Sequence, residues 1–142
     1  MSSEPASAAF DLPLRVEAAD IDEQGHVNNV VYLRWAQEAA TAHWQALAPP
    51  EAQANTGWVV LRHEIDYKAA AFLHDEVNAR TGVGAARGAI FERHTEITRG
   101  AARELLAQVR TLWCPIDPET ARPKRLSREV RAFFSSARES RE

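Results

Sequence analysis

From Asn29 to Leu47 the chain reads NVVYLRWAQEAATAHWQAL, and the polar residues Arg34, Gln37, Glu38, Thr41 and Gln45 fall at helical spacing. Nearly everything else in the segment is apolar, so a helix here offers water one narrow stripe and must bury the rest of its surface. Ala36, Ala39, Ala40, Ala42 and Ala46 allow whatever covers it to come close. The spacing predicts a long, central, largely buried helix, and the remainder of the chain has to supply its wrapping.

The flanking segments read as strands. Between Phe10 and Ala18 the even positions Phe10, Leu12, Leu14, Val16 and Ala18 alternate with Asp11, Pro13, Arg15 and Glu17, the signature of a half-buried strand. Pro13 lacks an N–H, which places it on an edge or near the strand start. Beyond the helix, Ala48 to Gly57 (APPEAQANTG) is rich in loop formers and reads as a connection. Val59, Leu61, His63, Ile65 and Tyr67 then alternate with polar partners and predict a strand with one dry face. Weaker alternation marks Asp75–Val83, Ala89–Thr98 and Glu104–Cys114. The gaps between these three are too short for parallel crossovers, so they are expected to be consecutive and antiparallel. Val130, Phe133, Phe134 and Ala137 suggest a short docked C-terminal helix. The order is that of an α+β design in which one curved antiparallel sheet of about five strands curls around one long helix.

The chain's 142 residues fit one domain, with a core over about residues 10–115 and an extension over 116–142. A formal charge of −3, with both signs mixed along the chain, gives no global field for nucleic acid or an anionic membrane. Cys114 is the only cysteine, which excludes an internal disulfide and a thiolate metal cluster. The start, MSSEPASAAF, has neither a basic nor an apolar targeting region, and no stretch approaches a membrane span. The expectation is a soluble cytoplasmic protein.

The chemistry-bearing stretch lies immediately before the helix: Asp20-Ile21-Asp22-Glu23-Gln24-Gly25-His26-Val27-Asn28-Asn29. It imitates the start of a calcium loop, but the twelfth position, which must be a bidentate glutamate, is Val31. A transition metal on Asp20, Asp22 and His26 would lack a fixed fourth ligand, and no metal is expected. A structural reading, with a turn, a glycine at positive φ and Asn28 or Asn29 as N-cap, accounts for part of the pattern. It gives no reason for His26 or for two carboxylates two residues apart. A catalytic reading does. The first N–H groups of a helix are unpaired and carry partial positive charge, which suits an oxygen becoming negative during attack on a carbonyl. A carboxylate on the preceding turn, Asp22, can act there as nucleophile or as base toward water, and Gly25 removes a Cβ from the path of the acyl group. No strong general acid is evident. The leaving group should therefore be a good one, and a thiol with a pKa near ~8.5 departs readily.

The stretch DIDEQGHVNNVVYLRWAQEA resembles the signature of the hotdog-fold thioesterases, specifically the 4-hydroxybenzoyl-CoA thioesterase-like acyl-CoA and acyl-carrier-protein hydrolases. The resemblance covers the strand and helix order over roughly residues 10–115 and implies a hotdog fold. It implies Asp22 as the catalytic carboxylate, with Asp20 a turn or hydrogen-bonding residue, and the backbone N–H of Asn29 as the oxyanion donor. In the acyl-carrier-protein thioesterases of plants and their bacterial relatives Asp, Asn and His recur at every second position. Here those positions are Asp22, Gln24 and His26, so Gln24 replaces the expected asparagine. His26 would orient water or polarise the carbonyl, or else pack beside the helix; Asn28 would support the site. The implied substrate is a coenzyme A thioester or an acyl-carrier protein, with no cofactor, and the implied assembly is a homodimer or homotetramer with sites at the interface.

Other residues carry two readings each. Tyr32, with Trp35, would line an acyl pocket or belong to the core. Glu38 stands one turn beyond Arg34, as an i,i+4 pair or as the helix glutamate that another clade of the fold uses catalytically. Gly82-Val83-Gly84-Ala85-Ala86-Arg87-Gly88 imitates a dinucleotide loop but has Arg87 where the third glycine belongs, so a hairpin is expected. His43 and His63 read as satisfied interior residues. The basic run Arg122–Arg128 competes with Lys68 and Arg93 for the phosphates of coenzyme A, against a solvated tail.

Overall fold

The computed structural model describes residues 9–132. Strand β1 (Ala9–Arg15) leads through a 3-10 turn (Ala18–Asp20) to helix α1 (Asn29–Leu47) and the short helix α2 (Pro50–Asn55). Strands β2 (Gly57–Tyr67), β3 (Glu76–Arg87), β4 (Ile90–Arg99) and β5 (Glu104–Ile116) follow. The five strands form one antiparallel sheet in the order β1-β3-β4-β5-β2, so β1 and β2 are its edges. The three later strands are consecutive hairpins, as their short gaps require. Pro13 pairs opposite Asn78 on edge strand β1, where its missing N–H is tolerated.

Helix α1 lies against this sheet through Val31, Tyr32, Trp35, Ala36 and Ala39, which join Val77, Ala79, Ile97, Leu106, Ala107 and Val109 in the main core. Arg34, Gln37, Glu38, Thr41 and Gln45 are all exposed, so the wet stripe lies where the spacing put it. A second core cluster forms at the other end of the helix, where Trp44 and Ala48 meet Phe91, Leu126 and Val130.

Three expectations need correction, and a fourth, the hairpin at Gly82–Gly88, is present but with a narrower turn. The first strand stops at Arg15, because the chain must turn over Ala18–Asp20 to reach the helix. The Ala48–Gly57 connection contains α2, with Pro50 at its first position, where a proline's missing N–H and fixed φ favour a helix start. The dry face assigned to β2 is interrupted. Pairing with β5 shifts between Val60 and Arg62, leaving Leu61 as an extra residue that is 53% exposed, and Val59 and Tyr67 are exposed as well. Finally, Gly82 to Arg87 are strand, and only Gly88, at φ +57°, stands in the hairpin turn.

After β5 the chain folds back. Pro123 bridges to Ile116, Lys124 N–H donates to the Pro115 carbonyl, and Lys124 Nζ donates to the Asn55 carbonyl at 2.7 Å. Residues 128–132 are helical, with Val130 in the second core cluster. Phe133, Phe134 and Ala137 lie outside the described residues.

Candidate active site

The stretch before α1 is a closed reverse turn. An antiparallel bridge joins Ile21 to Val27, Asp22 N–H donates to the His26 carbonyl and Gly25 N–H to the Asp22 carbonyl, each at 3.0 Å. Gly25 has φ +88°, a conformation that costs other residues a Cβ clash. A Cβ there would meet no described atom within 4 Å, so it is the backbone, not neighbouring protein, that requires glycine. The turn is fastened at both ends, because Asn28 N–H donates to the Asp20 carbonyl and Val27 N–H to the Ala71 carbonyl, both at 2.9 Å.

The two carboxylates have different surroundings. Asp20 is buried; Oδ1 accepts from Arg34 Nη2 at 3.0 Å and Oδ2 from Glu17 N–H at 2.9 Å. Arg34 is raised above its ordinary pKa chiefly by the hydrogen bond to Asp20, and Glu38 stands 3.4 Å from its Nε as an i,i+4 partner. Asp20 is thus the anchor of the turn, and Glu38 a companion of Arg34. Asp22 is half-buried, and its Oδ1 accepts from Gln24 N–H at 2.8 Å, while Oδ2 has no protein donor among the described residues. One carboxylate oxygen is spent on the turn and the other is open.

Asn28 is the N-cap of α1: its Oδ1 accepts from Val30 N–H at 3.0 Å, and its carbonyl from Val31 N–H. The Asn29 N–H belongs to the same set of orphan donors and has no protein acceptor among the described residues. His26 is half-buried, with Nδ1 3.3 Å from the Val27 carbonyl and its ring edge-on to Phe72. Gln24 is exposed. Val30, Phe72 and Leu73 bring exposed apolar surface to this end of the helix, and Tyr67 from β2 donates its hydroxyl to the Asn29 carbonyl at 2.9 Å. The turn, the helix start and the end of edge strand β2 are therefore one neighbourhood. Asp20, Asp22 and His26 do not converge, and among the described residues no three His, Cys, Asp or Glu side chains are grouped to hold a metal ion.

Tyr32 stands apart from this group. It is 2% exposed, its hydroxyl accepts from Ala71 N–H at 3.0 Å, and burial raises its pKa. It is pinned in the core with little surface to offer a substrate. Arg93, weighed as a phosphate ligand, points inward: Nη1 lies 2.9 Å from His43 Nδ1 and donates to Thr81 Oγ1 at 3.1 Å. Within the basic run, Lys124 is occupied by Asn55, whereas Arg122, Arg125 and Arg128 are exposed, as is Lys68.

A chamber that sequence reasoning missed lies at the far half of α1. Its volume is about 370 Å³, and Trp44, Trp58, Phe91 and Trp113 wall it together with Thr41 and Arg93. Apart from Thr56, its residues come from α1 and four strands, so no local spacing could reveal it.

The profile of the thioesterase-like superfamily matches residues 16–134. Among solved structures, the chain is similar to the DHNA-CoA thioesterase from Staphylococcus aureus at 18% identity and a TM-score of 0.82, over 94% of this chain and 95% of that one. It is similar to a variant of 4-hydroxybenzoyl-CoA thioesterase complexed with 4-hydroxybenzoyl-CoA at 16% identity and a TM-score of 0.81, over 90% and 99% of the two chains. The 12:0-ACP thioesterase from Umbellularia californica superposes with a TM-score of 0.75 at 17% identity, over 91% of this chain and 50% of that one. No curated protein matches the chain by sequence.

Proposed function

Because the chain belongs to the thioesterase-like superfamily and has the hotdog fold of those structures, we propose that it hydrolyses an acyl-CoA to a free carboxylic acid and coenzyme A at the turn before α1. The observation that carries this reading is the pairing of an open carboxylate oxygen on Asp22 with an unbonded N–H at Asn29 in one fastened turn and helix start. The thioester oxygen takes the Asn29 N–H, where the helix end favours the negative charge it acquires. Asp22 either attacks the carbonyl carbon, forming a mixed anhydride that water opens, or removes a proton from the attacking water. In both routes the C–S bond breaks, and the thiolate leaves without a strong acid to protonate it. His26 orients the water or the carbonyl; Asn28 holds the helix start; Gly25 keeps the turn in shape beside the acyl group.

In one chain this neighbourhood is open on the side of β2. That strand is an edge, with Val59 and Leu61 exposed, and Val30 beside the helix start is 66% exposed. An edge strand of eleven residues is normally paired or covered. The proposal includes a homodimer formed along β2, in which the second copy walls the acyl site, with a homotetramer as the larger form.

Asp22→Asn tests the chemistry. The amide oxygen can still accept from Gln24 N–H, so the turn is kept, while basicity and nucleophilicity are removed. The expected result is a loss of about 10²–10⁴-fold in kcat/KM for thioester hydrolysis with an unchanged melting curve. Equal rates in variant and parent would reject Asp22 as the catalytic carboxylate, and acyl-CoA binding by the parent with no turnover above the uncatalysed rate would favour a non-catalytic acyl-CoA-binding protein. An acyl-carrier protein is the second reading, favoured by the exposed Arg122, Arg125 and Arg128. Hydrolysis of matched acyl-CoA and acyl-carrier substrates separates the two.

A further inference from the structure

Arg93 is 7% exposed and has no carboxylate within ion-pair distance among the described residues. A buried cation of this kind is costly unless something answers its charge. Its Nη1 is used by His43 and Thr81, neither of which supplies a negative charge. Thr95 completes the group by donating to Thr81. His43 is held neutral at pH 7, its pKa lowered to about 4 by burial and then by Arg93 itself. The N–H groups on Nε and Nη2 meet no acceptor among the described residues, and Arg93 is part of the chamber wall.

The chamber suits one class of occupant. Its volume of about 370 Å³ is within the range of small-molecule sites, and Trp44, Trp58, Phe91 and Trp113 give it an aromatic side. Glu92, the one acidic residue lining the chamber, is committed to Arg110 and to the Ala85 N–H. The free donors of Arg93 in a chamber with aromatic walls call for an acceptor on an apolar body, and a planar carboxylate matches the Arg fork.

We propose that the chamber between the second half of α1 and the sheet binds a small apolar carboxylic acid, with its carboxylate on Arg93 and its hydrocarbon against Trp44, Trp58, Phe91 and Trp113. Such a group has two sources. It is either the free acid released by thioester hydrolysis or a second carboxylate carried on the acyl group of the substrate. The second source rests on the thioesterase reading; the binding site does not.

Calorimetry with 4-butylbenzoate and its neutral counterpart 4-butylbenzamide tests the site without turnover. The parent should bind the acid at least tenfold tighter than the amide. Arg93→Met should abolish that preference while leaving the melting temperature equal or higher, because an unanswered buried charge has been replaced by an apolar side chain. Thr41→Trp, an exposed helix position that lines the chamber, should weaken both ligands at least tenfold with folding intact. Acid and amide binding alike to the parent, or acid binding unchanged in both variants, overturns the proposal. Two rate measurements identify the source. Because Arg93 sits beside His43, about 21 Å along α1 from Asn29, only a long acyl group can bridge the two sites. Inhibition of hydrolysis by 4-butylbenzoate in the parent but not in Arg93→Met assigns the released acid, whereas a tenfold preference for hexadecanedioyl-CoA over hexadecanoyl-CoA, lost in Arg93→Met, assigns the acyl group. Failure of Asp22→Asn to lower hydrolysis would leave the calorimetric result standing, so the two readings fail separately.

Discussion

At the scale of single residues, Asn28 illustrates how a cap and a candidate site share one side chain. Its Oδ1 satisfies Val30 N–H and its own N–H ties the helix to Asp20. Asn28→Ala should cost about 1 kcal/mol in urea unfolding, the ordinary loss of an N-cap, and should lower hydrolysis further than that loss explains if the Asn29 amide must be held in place. His43 makes a pH prediction. Its native pKa of about 4 lies below the ordinary value of 6.5, because burial and then Arg93 oppose its charge. The unfolded chain therefore binds a proton that the native chain does not between those values, and stability rises with pH across that window. Lowering the pH from 6.5 toward 4 should remove about 3 kcal/mol through this group. Comparing denaturant midpoints of the parent and His43→Gln across pH 7.5 to 4.5 checks this, since the variant lacks the His43 component. The roles of Asp20 and Asp22 show what residue spacing could and could not reveal. Their separation marked a turn and two possible functions, and only the approach of Arg34 from the next turns of the helix shows which carboxylate is committed to structure.

At the scale of elements, α1 was the most legible part of the chain because its polar stripe is periodic over its full length. Ala39 lies fully buried between α1 and the sheet, so Ala39→Leu should overpack the contact and cost about 1–3 kcal/mol, read as a shift in urea midpoint at constant slope. Helix α2 was hidden because Pro49-Pro50 reads as a breaker, whereas the second proline occupies the one helical position that suits it. The face of β2 was misread at Leu61 for a different reason: alternation in sequence assumes an uninterrupted ladder, and a bulge is a property of the partner strand as much as of its own. The Gly82–Gly88 string was placed correctly near a hairpin, but β3 continues to Arg87 and only the last glycine turns.

At the scale of the whole molecule, the turn before α1 was legible as a candidate site because its residues are contiguous. The chamber on Arg93 was not, because it is assembled from α1 and four different strands. The unpaired edge of β2 makes an assembly prediction. If the proposed dimer forms along this edge, Val59→Lys together with Leu61→Lys should convert it to a monomer in light scattering after size exclusion, with hydrolysis falling in parallel as each proposed site loses its second wall. A variant that remains dimeric would place the interface elsewhere. The same strand carries a subtler message. Val60 pairs with Trp113 and Arg62 with Leu112, so Leu61 is an extra residue inserted between two partners that are already adjacent on β5. Removing it by deletion would leave every remaining rung matched as before. What would vanish is the local kink, and with it part of the sheet's curvature at that edge: the strand can be shortened by one residue without being mispaired, but not without being straightened.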